Sequence, residues 1–159
     1  MSMLEDQIRI KDLIQQETGF TRRLLEALHS ENQALCSNDF ATVEQLTPLK
    51  QQIIEALSTL EQQRESLLRQ AGFSNDKSGM TKFITQCDEN IEQDWQILLD
   101  IVSECNRQNE INGIMINTAS RQTSSALSIL KGQLPGENIH YGSKGEALPN
   151  TTSNPLAKA

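Results

Sequence analysis

From Thr81 to Lys131 the chain runs fifty-one residues without a proline and with one glycine, Gly113. That stretch suits one long helix. Heptad positions counted from Ile84 give a seam of Ile84, Cys87, Ile91, Asp94, Leu98, Ile101 and Cys105. The seam continues as Gln108, Asn112, Met115, Ala119, Gln122, Ala126 and Ile129. It is apolar to Cys105, polar through Asn112 and weakly apolar after Gly113, and Trp95 beside Asp94 is expected to fill that layer. Asn106, Asn109 and Asn112 stand three apart, on neighbouring positions of the helix surface. They read either as a polar interruption that fixes register or as a strip that hydrogen-bonds a partner's backbone.

Two further helical stretches precede it. Between residues 4 and 37 the apolar positions Ile10, Leu13, Ile14, Phe20, Leu24, Leu28 and Leu35 keep steps of three, four and seven. Ser37-Asn38-Asp39 then signals a stop and a restart. Phe40 to Leu46 reads as a short helical piece, and Thr47-Pro48 as an N-cap with proline at the first helical position. The second long helix is expected from about Pro48 to Ala71, with a stripe of Leu49, Ile53, Ala56, Leu57, Leu60, Leu67 and Leu68. Arg64 falls on this stripe, so its methylenes should cover the seam while the guanidinium finds solvent or a carboxylate. Gly72 is the expected stop, with Phe73 folding back as in a Schellman motif. Ser74 to Gly79 reads as loop. These signals predict an all-α fold. It is an elongated antiparallel helical bundle or coiled coil of three long helices, with the second arm interrupted near Asp39–Pro48.

Composition agrees. Only 36% of the 159 residues are hydrophobic and 4% aromatic, while sixteen are Gln, which fits narrow apolar stripes rather than sheets. A net charge of −7 lacks the clustered Lys and Arg that nucleic acid requires. The start has no secretory signal, no stretch is long and apolar enough to span a membrane, and three unpaired cysteines fit a reducing compartment. A cytoplasmic location is therefore expected. Catalytic chemistry is poorly supplied. His29 lies in Glu26-Ala27-Leu28-His29, but the only other histidine, His140, lies near the C-terminal end, so no di-metal set can be completed. Cys87 and Cys105 read as small core residues on the seam. No catalytic residue, metal ligand or cofactor site is predicted.

Helix lengths add a geometric expectation. At 1.5 Å per residue, two matched arms of about 34 residues are roughly 50 Å long. A third arm starting at Met80 draws level with the first near residue 113. The expected organisation is thus a bundle over 1–113, an amphipathic extension over 114–131 and a flexible tail over 132–159. The extension carries Met115, Ile116, Ala119, Ala126, Leu127, Ile129 and Leu130. A lone helix of that size needs a partner for its apolar face. The tail is rich in Gly, Pro, Ser, Thr and Asn and reads as disordered. Its two acids and two bases balance, so the −7 belongs to the helices.

Three local features, in order, resemble the FlgN-type flagellar export chaperones. The first is Lys50 leading through Leu57-Ser58-Thr59-Leu60 into Glu61-Gln62-Gln63-Arg64. The second is Asn106-Arg107-Gln108-Asn109 before a long helix reaching Leu127, Ile129 and Leu130. The third is Tyr141-Gly142-Ser143-Lys144-Gly145, which is similar to a short element that closes such chaperones. The resemblance implies a non-enzymatic cytoplasmic chaperone of type III secretion that binds hook-associated (hook–filament junction) proteins. It also implies that the C-terminal amphipathic region is the binding part, with roles for Tyr141, Gly142 and Gly145. The expected partner segment is the substrate's C-terminal amphipathic region, with export-apparatus components as further candidate partners. The competing reading is a coiled-coil adapter or scaffold that forms a homodimer through the same apolar face.

Overall fold

The computed structural model describes residues 2–132 and the backbone of 139–141 and 147–149. Four helices follow in order: α1 Met3–Cys36, α2 Phe40–Gln70, α3 Lys77–Ile84 and α4 Glu89–Leu130. Two three-residue strands, β1 Ile139–Tyr141 and β2 Ala147–Pro149, pair antiparallel with Tyr141 opposite Ala147. The class is all-α. The chain divides into two compact units, residues 1–113 and 114–159.

Local chemistry explains the helix ends. Ser2 caps α1 in a capping box, accepting from the Glu5 N–H while its own N–H donates to the Glu5 carboxylate. Asn38 takes a left-handed conformation (φ 54°), which an Asn tolerates, and Asp39 caps α2 by accepting from the Thr42 N–H at 3.2 Å. At the far end Gly72 adopts φ 87°, and the Phe73 N–H reaches back to the Leu68 carbonyl at 2.9 Å, the expected Schellman closure.

Two expectations about continuity are reversed. The second arm is not interrupted near Asp39–Pro48, because α2 runs unbroken through Pro48. Thr47 is no cap there; its hydroxyl donates back to the Val43 carbonyl at 3.2 Å. An interior proline loses one helical bond, but the next turn carries Lys50, bonded to the buried Glu31, and the buried Ile53. Packing onto α1 thus overrides the local stop. The third arm, conversely, is two helices. Thr85 to Asp88 form a turn, with the Gln86 and Cys87 N–H groups bonded to Phe83 and Ile84 carbonyls. Asp88 then caps α4 through the Ile91 N–H at 3.1 Å. The signal was present in the sequence as an Asp followed by Glu89 and Glu92 in the first turn. Of the segment whose composition predicts disorder, the described residues beyond Gly132 are the two short paired strands, and the rest lies outside the described residues.

The turn before α3 is tightly built. Asp76 accepts from the Ser74 hydroxyl at 2.6 Å and from the Gly79 N–H at 2.8 Å, and these bonds hold its carboxyl below the usual range. A Cβ on Gly79 would lie 1.7 Å from the Ser74 carbonyl oxygen, so the backbone itself must move. Gly79→Ala is therefore expected to lower stability by about 1–3 kcal/mol, measurable by urea unfolding.

Register within the first unit follows from its polar contacts. From Glu17 to Glu31 is fourteen residues along α1, and their partners Arg64 and Lys50 lie fourteen residues apart in the reverse sense on α2. α1 and α2 are therefore antiparallel. Gln15 meets Asp94, Thr21 meets Cys105 and Leu28 meets Asn112, so α4 runs parallel to α1. The apolar core gathers near one end, where Ile10, Ile14, Leu68, Met80, Phe83, Ile84, Ile91 and Leu98 are buried.

Candidate functional site

Two buried polar clusters define the surroundings of the seam in the first unit. Arg64 donates to both carboxylate oxygens of Glu17, at 2.7 and 3.4 Å, and its guanidinium lies 4.8 Å from the centre of the Trp95 ring. This is the carboxylate partner expected for Arg64, and Trp95 does fill the layer beside Asp94. Burial raises the Glu17 carboxyl above its ordinary value more than Arg64 lowers it, with Glu61 and Glu65 adding to the rise. The second cluster centres on Asn112, whose amide donates to the Leu28 carbonyl and to Glu31, both at 2.9 Å. Its oxygen accepts from Gln108 at 3.0 Å and from Asn32 at 3.1 Å.

These contacts divide the asparagine run. Asn112 is fully buried and saturated inside the unit, whereas Asn106 and Asn109 are exposed. The three do not form one surface strip, since successive steps of three turn each residue by roughly 60° around the helix. Asn112 therefore serves internal register.

The segment 114–130 has a different character. Its buried positions are Ser124 and Ser128, and the Ser124 hydroxyl donates to the Ser120 carbonyl at 3.0 Å. Ala126 and Leu130 each lie two residues further on, hence roughly 200° away on the opposite side. Met115, Ala119, Ala126, Ile129 and Leu130 fall on that side, whereas Ile116 and Leu127 lie on its flank. Ile116, Leu127, Ile129 and Leu130 are 41%, 40%, 61% and 82% exposed, Ala126 is exposed, and Met115 and Ala119 are half-buried. Ile114, not among the candidates, is also exposed. Tyr141 is placed in β1, while Gly142 and Gly145 lie outside the described residues.

The two seam thiols, Cys87 and Cys105, are poor nucleophiles. Burial, with Asp88 nearby, pushes Cys87 up to about 11, and burial likewise raises Cys105, whose thiol donates to the Thr21 carbonyl. His29 is exposed. Among the described residues no cluster of three or more metal-ligating side chains occurs, and no helix is long and apolar enough to cross a membrane.

Comparison with known proteins agrees with this geometry. The family model of the FlgN protein matches residues 1–149. The chain belongs to the FlgN family. Among solved structures, a flagella synthesis protein FlgN from Pseudomonas aeruginosa is similar, with a TM-score of 0.61 and 29% identity over 75% of this chain and 93% of that one. Among curated protein sequences none matches. Membership implies a flagellar export chaperone role, and the family is one of chaperones, not enzymes.

Proposed function

We propose that this protein is a cytoplasmic chaperone that binds hook-associated flagellar proteins through residues 114–130, keeping them unassembled, export-competent and shielded from proteolysis. The observation that carries the reading is the exposed apolar arc on this segment, which runs from the flank of Ser124 round to the far side of the helix. An arc with Ile116, Leu127 and Leu130 at helical spacing suits an amphipathic helix in a helix-on-helix mode. The occupant is the C-terminal amphipathic region of the substrate. Covering it removes the surface through which the substrate would assemble or be cleaved.

Isothermal titration of the chain with the C-terminal segment of a hook-associated protein tests this. Leu127→Ser with Leu130→Ser removes two exposed apolar anchors without touching the core, and affinity is expected to fall about 30-fold or more. Truncation after Gly113 is expected to abolish binding. Full affinity in either variant overturns the assignment. Sedimentation of the free chain supplies the contrast: a dimer dissolved by the same two serines would favour the adapter reading.

A further inference from the structure

The first unit carries a second uncovered apolar face, separate from the segment discussed above. On α4, Trp95, Leu99 and Val102 follow at steps of four and three and so form one stripe. On α2, Ile54, Leu57, Glu61 and Glu65 do the same. The Arg64–Trp95 contact shows that these two stripes face the same side of the unit. It also sets their register. Leu57 lies seven residues before Arg64 and Val102 seven residues after Trp95, which for antiparallel helices is the same height. Yet this layer is open: Ile54 is 47%, Leu99 37% and Val102 38% exposed, and Leu57 is half-buried. Exposed apolar side chains brought to one side of the unit at one height suit an interaction surface.

Charge selects its occupant. Between Lys50 and Glu65 the bases on α2 are Lys50 and Arg64, and both are bonded to buried carboxylates of α1, Glu31 and Glu17. Between Glu92 and Asn109 the base on α4 is Arg107, which is paired with Glu104. The acids Glu61 and Glu65 border the face and make no ion pair among the described contacts. Residues 1–113 hold nineteen acids against ten bases, a net of −9, whereas 114–159 hold four bases against two acids, a net of +2. The same face of a second copy would bring the same negative surface and be repelled.

We infer that the α2–α4 face formed by Ile54, Leu57, Leu99 and Val102 docks an amphipathic helix of a partner protein whose apolar stripe is flanked by Lys or Arg. The partner's leucine-type side chains fill the open layer above Trp95, and its bases meet Glu61 and Glu65. This site is independent of the 114–130 segment, so a chain carrying Leu127→Ser and Leu130→Ser retains it.

Trp95 is the only tryptophan and borders the face, so its fluorescence reports occupancy. The full chain bearing the two arm serines is titrated with a synthetic amphipathic peptide, its leucines at alternating steps of three and four and its flanks lysine. A saturable change in Trp95 emission is expected. Substituting glutamate for the flanking lysines should weaken binding about tenfold or more, as should Ile54→Ser with Val102→Ser in the protein, with helical circular dichroism unchanged. No emission change, equal affinity for the glutamate peptide, or indifference to Ile54→Ser and Val102→Ser overturns the inference. So does a free-chain dimer in sedimentation that these two serines dissolve, since the face would then belong to a second copy.

Discussion

Arg64→Ala is expected to lower the unfolding free energy by about 3–5 kcal/mol, because it leaves the Glu17 carboxylate buried without its cation. Glu17→Ala should cost a similar amount by stranding the guanidinium. The pair itself is not the source of that energy, since both charges lost water on burial. Glu17→Leu combined with Arg64→Met is therefore expected to lie within about 1–2 kcal/mol of the wild type, as replaced buried ion pairs do. Urea unfolding of the wild type, Glu17→Leu, Arg64→Met and their double variant as a cycle, with the two alanine variants alongside, measures this. The pH dependence has a defined sign. The folded Glu17 carboxyl titrates above its ordinary 4.5, so between that value and its folded pKa the native state binds more protons than the unfolded chain. Stability contributed by this group falls as pH rises through that window and stays lower above it. Arg64→Ala removes the interaction that lowers the pKa, so the declining window extends to higher pH. Adding Glu17→Gln abolishes the slope.

Phe83→Ala should be comparably damaging, at about 3–5 kcal/mol. Phe83 is the largest fully buried side chain among the described residues and packs edge-on against Phe73, with ring centres 5.4 Å apart. It also holds α3, which at eight residues is too short to be helical alone. The expected signature is a lower urea midpoint together with early amide exchange across Lys77–Ile84. Phe83→Leu keeps most of the volume and should cost less than about 1.5 kcal/mol. An alanine variant as stable as the leucine one would mean that α3 is not anchored through this ring.

Much of the architecture was legible because it rests on local spacing. The stripes of α1 and α2, the restart at Asp39 and the stop at Gly72 each follow from a period or a cap that a few adjacent residues define. Arg64 on an apolar stripe already implied a carboxylate across the interface, though not that it would be Glu17. The misreadings share a cause. Pro48 is a breaker judged locally, but the anchoring of Lys50 and Ile53 onto α1 outweighs one lost helical bond. Heptad spacing passes smoothly through Thr85–Asp88 and so does not mark the break after Ile84, and Phe83 lies off that seam.

The candidate site divides in the same way. The amphipathic arc of 114–130 is a property of sequence, since side-chain phase on a helix follows from spacing alone. Whether an apolar residue is covered is not, because coverage depends on what other segments bring near. Only the tertiary structure showed Asn112 saturated by Leu28, Glu31, Gln108 and Asn32, while Asn106 and Asn109 face solvent. Only it left Ile54, Leu99 and Val102 open beside Trp95. The sequence by itself determined the helical class and the phase of each apolar stripe, through short-range rules. The three-dimensional packing decided which polar groups are internal and which apolar faces remain for partners, because burial is a relation between distant parts of the chain.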